Sequence, residues 1–320
     1  MFPREVGQNT AHGLHFVSAA WRNSGRSAYV NVLSQEGVLM PELPEAEVAA
    51  RLLRARVMGA TVRDCWIGRR DIVREGLSSL EWYRGTKIAG VERRGKSVVL
   101  KFAGVRQTRF LTAELGMTGL LLFQGAQAKH PQHTHCILRL EGVDEPEIRY
   151  WNPRRFGRLS FLDQAGLDQY TARRFGHDPL TMSQPQFVEL LGSTRRKLKT
   201  LLMHQQVIAG IGNIYANEIL FRAGLHPEQP ADRLGSGAVL RLYEIMREVL
   251  HEAILMGGSS VRDYFAPDGT EGTYKQKHLV YGKTGERCPN GCGANITRSI
   301  GERSSFYCPL CQPLGRRRRV

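Results

Sequence analysis

The chain has no run of eighteen apolar residues, so nothing in it has the length of a membrane-spanning helix. Its first forty residues lack an uninterrupted apolar segment flanked by basic residues, which argues against a secretory signal. Cysteine is sparse except in one place. Of six cysteines, four (Cys288, Cys292, Cys308 and Cys311) crowd together near the end of the chain. That clustering reads as metal ligation in a reducing compartment and not as a disulfide framework. Cys65 and Cys136 read as buried small hydrophobes. Negative charge is short too: 30 Asp and Glu stand against 45 Lys and Arg, a formal +15. The excess points to a polyanionic partner, most simply nucleic acid, although a ribosomal or membrane-surface protein would share it.

What remains is globular in composition, 42% hydrophobic and 23% charged, and 320 residues have room for two domains of ordinary size. Residues 1–39 mix Gly, Ser, Asn and scattered apolar positions without sustained periodicity. From Ala60 the chain turns strand-like, with short runs at Thr61–Arg63, Lys87–Val91, Lys96–Phe102, Arg109–Leu115, His135–Leu140 and Glu147–Trp151. Such spacing suggests an antiparallel sandwich or barrel. Helical periodicity then takes over at Ala165–Tyr170, Gln184–Leu191, Lys197–His204, Asn213–Arg222 and Ala238–Met256. The expected divisions are 1–39, 40–173, 174–282, 283–312 and a basic tail, 313–320, whose four arginines suit non-specific phosphate attraction.

Met40-Pro41-Glu42-Leu43-Pro44-Glu45 precedes good helix formers, Ala46 to Arg56, with Val48, Leu52 and Leu53 on one stripe. A proline and a glutamate in a first turn are an ordinary helix entry. They also offer chemistry. If translation starts at Met40 and that Met is removed, Pro41 becomes a secondary amine titrating at roughly pH 7.7–8. Such an amine attacks an electrophilic carbon to form an iminium, and Glu42 beside it is placed to move protons. Residues 1–39 are then a disordered arm, upstream sequence included through a misassigned start, or a processed leader; a leader left attached would abolish the free amine.

Further along, Gly210 and Gly212 in Ala209-Gly210-Ile211-Gly212-Asn213 permit close backbone approach, and Asn213 is expected to cap the following helix. The N–H groups there would form an anion site for phosphate. No preceding strand or third glycine makes this a dinucleotide fingerprint. Residues 257–282 read as a Gly-rich lid or hairpin. Cys288-x3-Cys292 and Cys308-x2-Cys311, fifteen residues apart, suit a four-thiolate zinc site.

Taken together these blocks resemble the formamidopyrimidine-DNA glycosylase family, whose mature chains begin Pro-Glu-Leu-Pro-Glu. The resemblance covers Pro41 to Gln312. It includes Arg93-Arg94-Gly95-Lys96, Glu114-Leu115-Gly116-Met117-Thr118-Gly119, Tyr150-Trp151-Asn152-Pro153-Arg154-Arg155-Phe156-Gly157, the long run from Leu201 to Pro227, and Val280-Tyr281-Gly282. It implies an α+β fold: an amino-terminal antiparallel β-sandwich with a flanking helix, a helical domain with a helix–two-turn–helix, and a β-hairpin zinc finger holding one structural zinc ion. The implied partner is damaged double-stranded DNA, met by a monomer in the bacterial cytoplasm, at the nucleoid.

By that resemblance Pro41 is the nucleophile, Glu42 and Lys96 move protons, and Glu45 supports the amino terminus. Met117, Arg154 and Phe156 fill the void left by an extruded nucleotide. His133, Asn213 and Arg195 contact DNA, though a plain solvated face serves equally for Arg195. Arg303 at the finger's hairpin touches a phosphate and assists the second elimination, or acts only as a phosphate clamp. The implied activity is excision of oxidised purines followed by strand cleavage. Its alternatives are an endonuclease VIII-like enzyme acting on oxidised pyrimidines, and a non-catalytic lesion-binding protein should Pro41 be blocked. This chain departs from the family pattern at Gly95 (usually Ala), Asn152 (usually Asp), the Cys288–Cys292 spacing (usually two residues) and the tail.

Overall fold

Pro44 in the first turn and the Glu45 carboxylate, which accepts the Glu42 N–H at 2.8 Å, start α1 (Leu43–Val57). The computed structural model describes residues 41–127, 132–260 and 264–315, so the expectations for residues 1–40 and for the arginine tail lie outside the described residues. The stripe on α1 divides. Ala49, Ala50, Leu53 and Val57 enter the core of the sheet domain, whereas Leu43, Val48 and Leu52 pack into that of the helical domain. One helix therefore joins two cores, and Leu53→Ala alone is worth about 2–5 kcal/mol of stability.

Among the described residues nine strands follow: β1 (Thr61–Ile67), β2 (Val73–Glu75), β3 (Lys87–Arg94), β4 (Ser97–Ala103), β5 (Thr108–Glu114), β6 (Leu120–Phe123), β7 (Thr134–Glu141), β8 (Glu147–Trp151) and β9 (Leu159–Leu162). They pair in the order β2-β9-β5-β4-β3-β1-β7-β8-β6. β1 and β3 share the single register pair Thr61↔Lys87, and this seam separates two leaves. Val98, Leu100, Leu111 and Phe161 from one leaf meet Val62, Leu121, Leu138 and Ile148 from the other in one core, which makes the ladder a sandwich. All pairs are antiparallel except β2 with β9. The sequence reading misses β2, β6 and β9. The latter two are four-residue runs buried on both faces, so they show no alternation.

A short α2 (Gln124–Gln127) follows β6. Then come α3 (Gln164–Arg174), α4 (Gln184–Gly192), α5 (Leu198–Met203), α6 (Asn213–Arg222) and α7 (Ser236–Leu255). Asp163 caps α3 through the Gly166 N–H, and Ser183 with Gln186 forms a capping box on α4. Between α5 and α6 the chain makes two tight turns. Gln205 braces them, donating to the carbonyls of Met203 and Ile211 and accepting the Gly210 N–H. A hairpin of β10 (Thr297–Ser299) and β11 (Ser305–Tyr307) closes the fold, and Cys288, Cys308 and Ile296 pack with Phe221 of α6. Among the described residues no helix is long and apolar enough to cross a membrane.

Candidate active site

The head of α1 is inserted against the start of α6. Pro41, Glu42 and Glu45 are all buried. The Glu42 carboxylate accepts the backbone N–H groups of Gly212 (2.7 Å), Ile214 (2.9 Å) and Tyr215 (3.4 Å). The positive end of α6 thus holds an anion, as the sequence suggests, but the anion is the protein's own carboxylate and not a phosphate. Asn213 is the first helical residue rather than the cap; Gly212 occupies that position without a side-chain bond, and Glu42 satisfies the N–H groups a cap would serve. The close approach needs the glycines. Leu43 donates its N–H to the Gly210 carbonyl at 2.9 Å, and a Cβ on Gly210 (φ +94°) would meet Leu43 Cβ at 2.7 Å.

Glu45 accepts from the Tyr215 hydroxyl at 2.6 Å and from the Ser259 N–H at 2.7 Å. Ser259 Oγ in turn lies 2.8 Å from His278 Nε2. Burial raises the pKa of both carboxyls above the ordinary range; Lys96 pulls that of Glu42 back, and the Tyr215 hydroxyl that of Glu45. Lys96, at the turn between β3 and β4, is half-buried and has no hydrogen bond or ion pair among the described residues. Its amine still reaches the same point as Glu42, since a Cβ on Gly212 would meet Glu42 Cδ at 2.4 Å and Lys96 Nζ at 2.5 Å. Desolvation lowers the pKa of Lys96; Glu42 opposes this and Arg303 adds to it. A carboxyl whose pKa burial raises and a lysine whose pKa burial lowers, facing one another beside Pro41, suit proton transfer.

The hairpin bearing Arg303 is tied to this region. Lys199 Nζ donates to the Ser304 carbonyl (2.5 Å) and Ser305 Oγ (3.0 Å), and burial lowers its pKa to about 7. Asn217 on α6 accepts the Phe306 N–H at 2.9 Å. Arg303 itself is exposed at the turn.

A second group lies on adjoining loops of the sandwich. Met117 is half-buried, Arg154 exposed, and Phe156 54% exposed with the Arg154 guanidinium 5.0 Å from its ring centre. Their loops touch backbone to backbone, for a Cβ on Gly116 would meet Gly157 N at 2.4 Å. His133 is exposed with φ +68°, and its carbonyl accepts the Asn152 N–H. Arg195, 94% exposed with Asp232 3.6 Å away, stands outside both groups.

The four clustered cysteines place their sulfurs within 4.8 Å of one another, with Cys288–Cys311 at 3.7 Å and Cys292–Cys308 at 3.5 Å. A tetrahedral zinc with bonds of about 2.3 Å needs sulfurs about 3.8 Å apart. The set therefore fits, Cys292 included. Gly291 (φ +68°) and Gly293 (φ +87°) absorb the extra residue in the first pair.

Two family models match the chain. The formamidopyrimidine-DNA glycosylase N-terminal domain matches residues 40–159, and the formamidopyrimidine-DNA glycosylase H2TH domain matches residues 175–264. A formamidopyrimidine-DNA glycosylase of Thermus thermophilus is 39% identical over 282 residues, spanning 86% of this chain and all of the relative. The chain belongs to the formamidopyrimidine-DNA glycosylase family. Among solved structures of the family, the Lactococcus lactis Fpg bound to abasic-site DNA superposes with a TM-score of 0.76 at 30% identity, covering 85% of this chain and 99% of that one. The MutM (Fpg) protein of Thermus thermophilus gives a TM-score of 0.75 at 38% identity, with 86% and 100% covered.

Within this family frame the site draws on residues that the sequence reading passes over. Glu218 accepts three consecutive N–H groups, from Leu279 (2.8 Å), Val280 (3.1 Å) and Tyr281 (2.8 Å), and so anchors the end of the Gly-rich segment to α6. An acidic residue on the apolar face of Asn213–Arg222 was its only signal. Lys199 belongs by sequence to the basic run Arg195-Arg196-Lys197-x-Lys199 yet turns inward, and Leu198, Leu201 and Leu202 around it carry the hint. Tyr215, Ser259 and His278 left none, because only folding brings them to Glu45.

Proposed function

We propose that this chain excises oxidised purines such as 8-oxoguanine and formamidopyrimidines from duplex DNA, with Pro41 as the nucleophile. As a family member it is a DNA glycosylase with AP-lyase activity, serving base excision repair. The convergence of Glu42 and Lys96 on Gly212, next to Pro41, carries the assignment of residues. The lesion nucleotide must leave the stack, because C1′ is out of reach inside it. Met117, Arg154 and Phe156 fill the gap. The Pro41 nitrogen bonds to C1′ and the base departs with the bond electrons, while Glu42 protonates the ring oxygen as the sugar opens. The resulting iminium acidifies C2′. Loss of that proton breaks the C3′–oxygen bond, and a second elimination breaks the C5′–oxygen bond. Lys96 accepts and returns protons; Arg303 holds a flanking phosphate and Asn213 and His133 the backbone. Cys288, Cys292, Cys308 and Cys311 would hold zinc, whose part is to fold the hairpin carrying Arg303.

The reading requires Pro41 to be terminal in the working molecule, and the N-terminal domain profile, which begins at residue 40, supports it. Residues 40–173, 174–282 and 283–312 are then the working domains of a monomer acting on the bacterial nucleoid. Borohydride trapping on an 8-oxoguanine duplex, with sequencing of the adduct, tests this directly. A covalent adduct at Pro41 is expected. Binding without an adduct would leave a lesion-binding protein, and faster excision of oxidised pyrimidines would favour the endonuclease VIII-like alternative.

A further inference from the structure

Asn217 lies one turn along α6 from Asn213, on the same helix face, and is only 1% exposed. Its Oδ1 accepts the Phe306 N–H at 2.9 Å, a bond between residues 89 positions apart. Its Nδ2 donates to the Asn213 carbonyl at 2.5 Å and lies 3.4 Å from Asn213 Oδ1. These partners fix both amides. A backbone N–H can only donate, so the oxygen of Asn217 must face Phe306 and its nitrogen must face Asn213. That nitrogen can likewise only donate, so Asn213 turns its own oxygen inward and keeps its NH2 as the outward group. A phosphate offers acceptors alone, which is what an outward NH2 needs. Phe306 stands in the middle of β11, three residues beyond Arg303, and its N–H points to α6. Lys199 of α5 grips the same hairpin nearer its tip, through the Ser304 carbonyl and Ser305 Oγ.

We infer that Asn217 is a positioning residue for the DNA-binding face: its one buried amide ties the Arg303 hairpin to the head of α6, so that Arg303 and Asn213 meet the DNA backbone as a single unit. The inference rests on the reading that both residues hold phosphates. The cysteine cluster shapes the finger, and Phe221 of α6 gives it an apolar seat beside Cys288, Cys308 and Ile296. Apolar packing of that kind is non-directional, so it does not set how the hairpin points. Hydrogen bonds do, and two are needed, because a hairpin held at one point still pivots about it. Lys199 supplies the first point and Asn217 the second. The spacing of phosphates along a strand is fixed by the nucleic acid. Contacts carried on two independently moving elements each lose freedom when DNA binds, whereas contacts on joined elements are ordered beforehand.

The test measures affinity for a duplex carrying a tetrahydrofuran site, which mimics an abasic sugar without reacting, by anisotropy at several salt concentrations. Asn217→Leu fills the same space with neither acceptor nor donor. It is expected to weaken binding at least about fivefold and to lower the log–log salt slope by about 0.9 to 1.8, as one or both phosphate contacts loosen. A loss of folded protein alone would reduce the active fraction and leave that slope where it was. Arg303→Ala is expected to weaken the wild type at least about fivefold but Asn217→Leu by no more than about twofold further, because there the hairpin is already loose. Asn217→Ala carries the same test should the leucine variant not fold. An unchanged slope in the Asn217 variants, or effects of the Asn217 and Arg303 changes that simply add, overturns the inference. If instead Asn213→Ala and Arg303→Ala each leave the wild-type slope unchanged, it is the phosphate reading beneath the inference that falls.

Discussion

A methyl group added at Gly212 would meet Glu42 Cδ at 2.4 Å and Lys96 Nζ at 2.5 Å, although the backbone there (φ −126°) accepts any residue. Gly212→Ala is therefore a steric probe of the reacting groups and not of backbone conformation. It is expected to lower the single-turnover rate by about 100-fold, roughly 2.7 kcal/mol in the barrier, while lesion-DNA affinity measured by anisotropy stays within about threefold. A rate within about twofold of wild type would show that Glu42 and Lys96 need not stay where they are. Lys96 is legible as a strand-end lysine in the sequence. Its sharing of one point with Glu42 is not, since 54 positions separate them and only the packing of α1 on the β3–β4 hairpin brings them together.

Two elements make separate predictions. In the finger, Cys292→Ser replaces a thiolate by a weaker ligand, and it is expected to lose zinc to a chelator at least about tenfold faster than wild type, together with duplex nicking. Atomic absorption after dialysis reads the metal independently of activity, and full retention of zinc would remove Cys292 from the ligand set. In the segment after α7, His278 is held neutral by burial, which lowers its pKa from 6.5 to about 4. A depressed histidine contributes stability that is fully present above pH 6.5 and lost as pH falls toward 4, because the unfolded chain takes up the proton first. The loss amounts to roughly 2–3 kcal/mol. His278→Gln, which keeps a partner for Ser259, is expected to flatten the fall in melting temperature over that window. An unchanged pH profile would show that His278 titrates freely in the folded protein.

Across the whole molecule, α1 is the piece on which both cores and the site depend, and the formal charge of +15 sets the approach to DNA. With about five phosphates neutralised, affinity for undamaged duplex should fall with salt at a log–log slope of roughly −4 to −5. Arg195 is 94% exposed and only loosely paired with Asp232, so Arg195→Ala is expected to reduce that slope by about 0.9. Anisotropy titrations from low to physiological salt measure it, and an unchanged slope assigns Arg195 to a solvated face.

Local patterns sufficed for much of this. Short strand-like runs bounded by turn residues marked β1, β3, β4, β5, β7 and β8, a 3.6-residue period marked the five longer helices beyond α1, and cysteine spacing marked the metal site, because each depends on residues near in sequence. Buried β6 and β9 show no alternation, and β2 is three residues long, so pairing alone defines them. The capping of α6 by Glu42 instead of Asn213, the inward turn of Lys199, the anchoring of residues 279–281 by Glu218 and the tie from Asn217 to the finger hairpin were decided by tertiary contact. Each joins groups distant in the chain, and the cost of burying a charge or a polar atom without a partner selects which groups must meet.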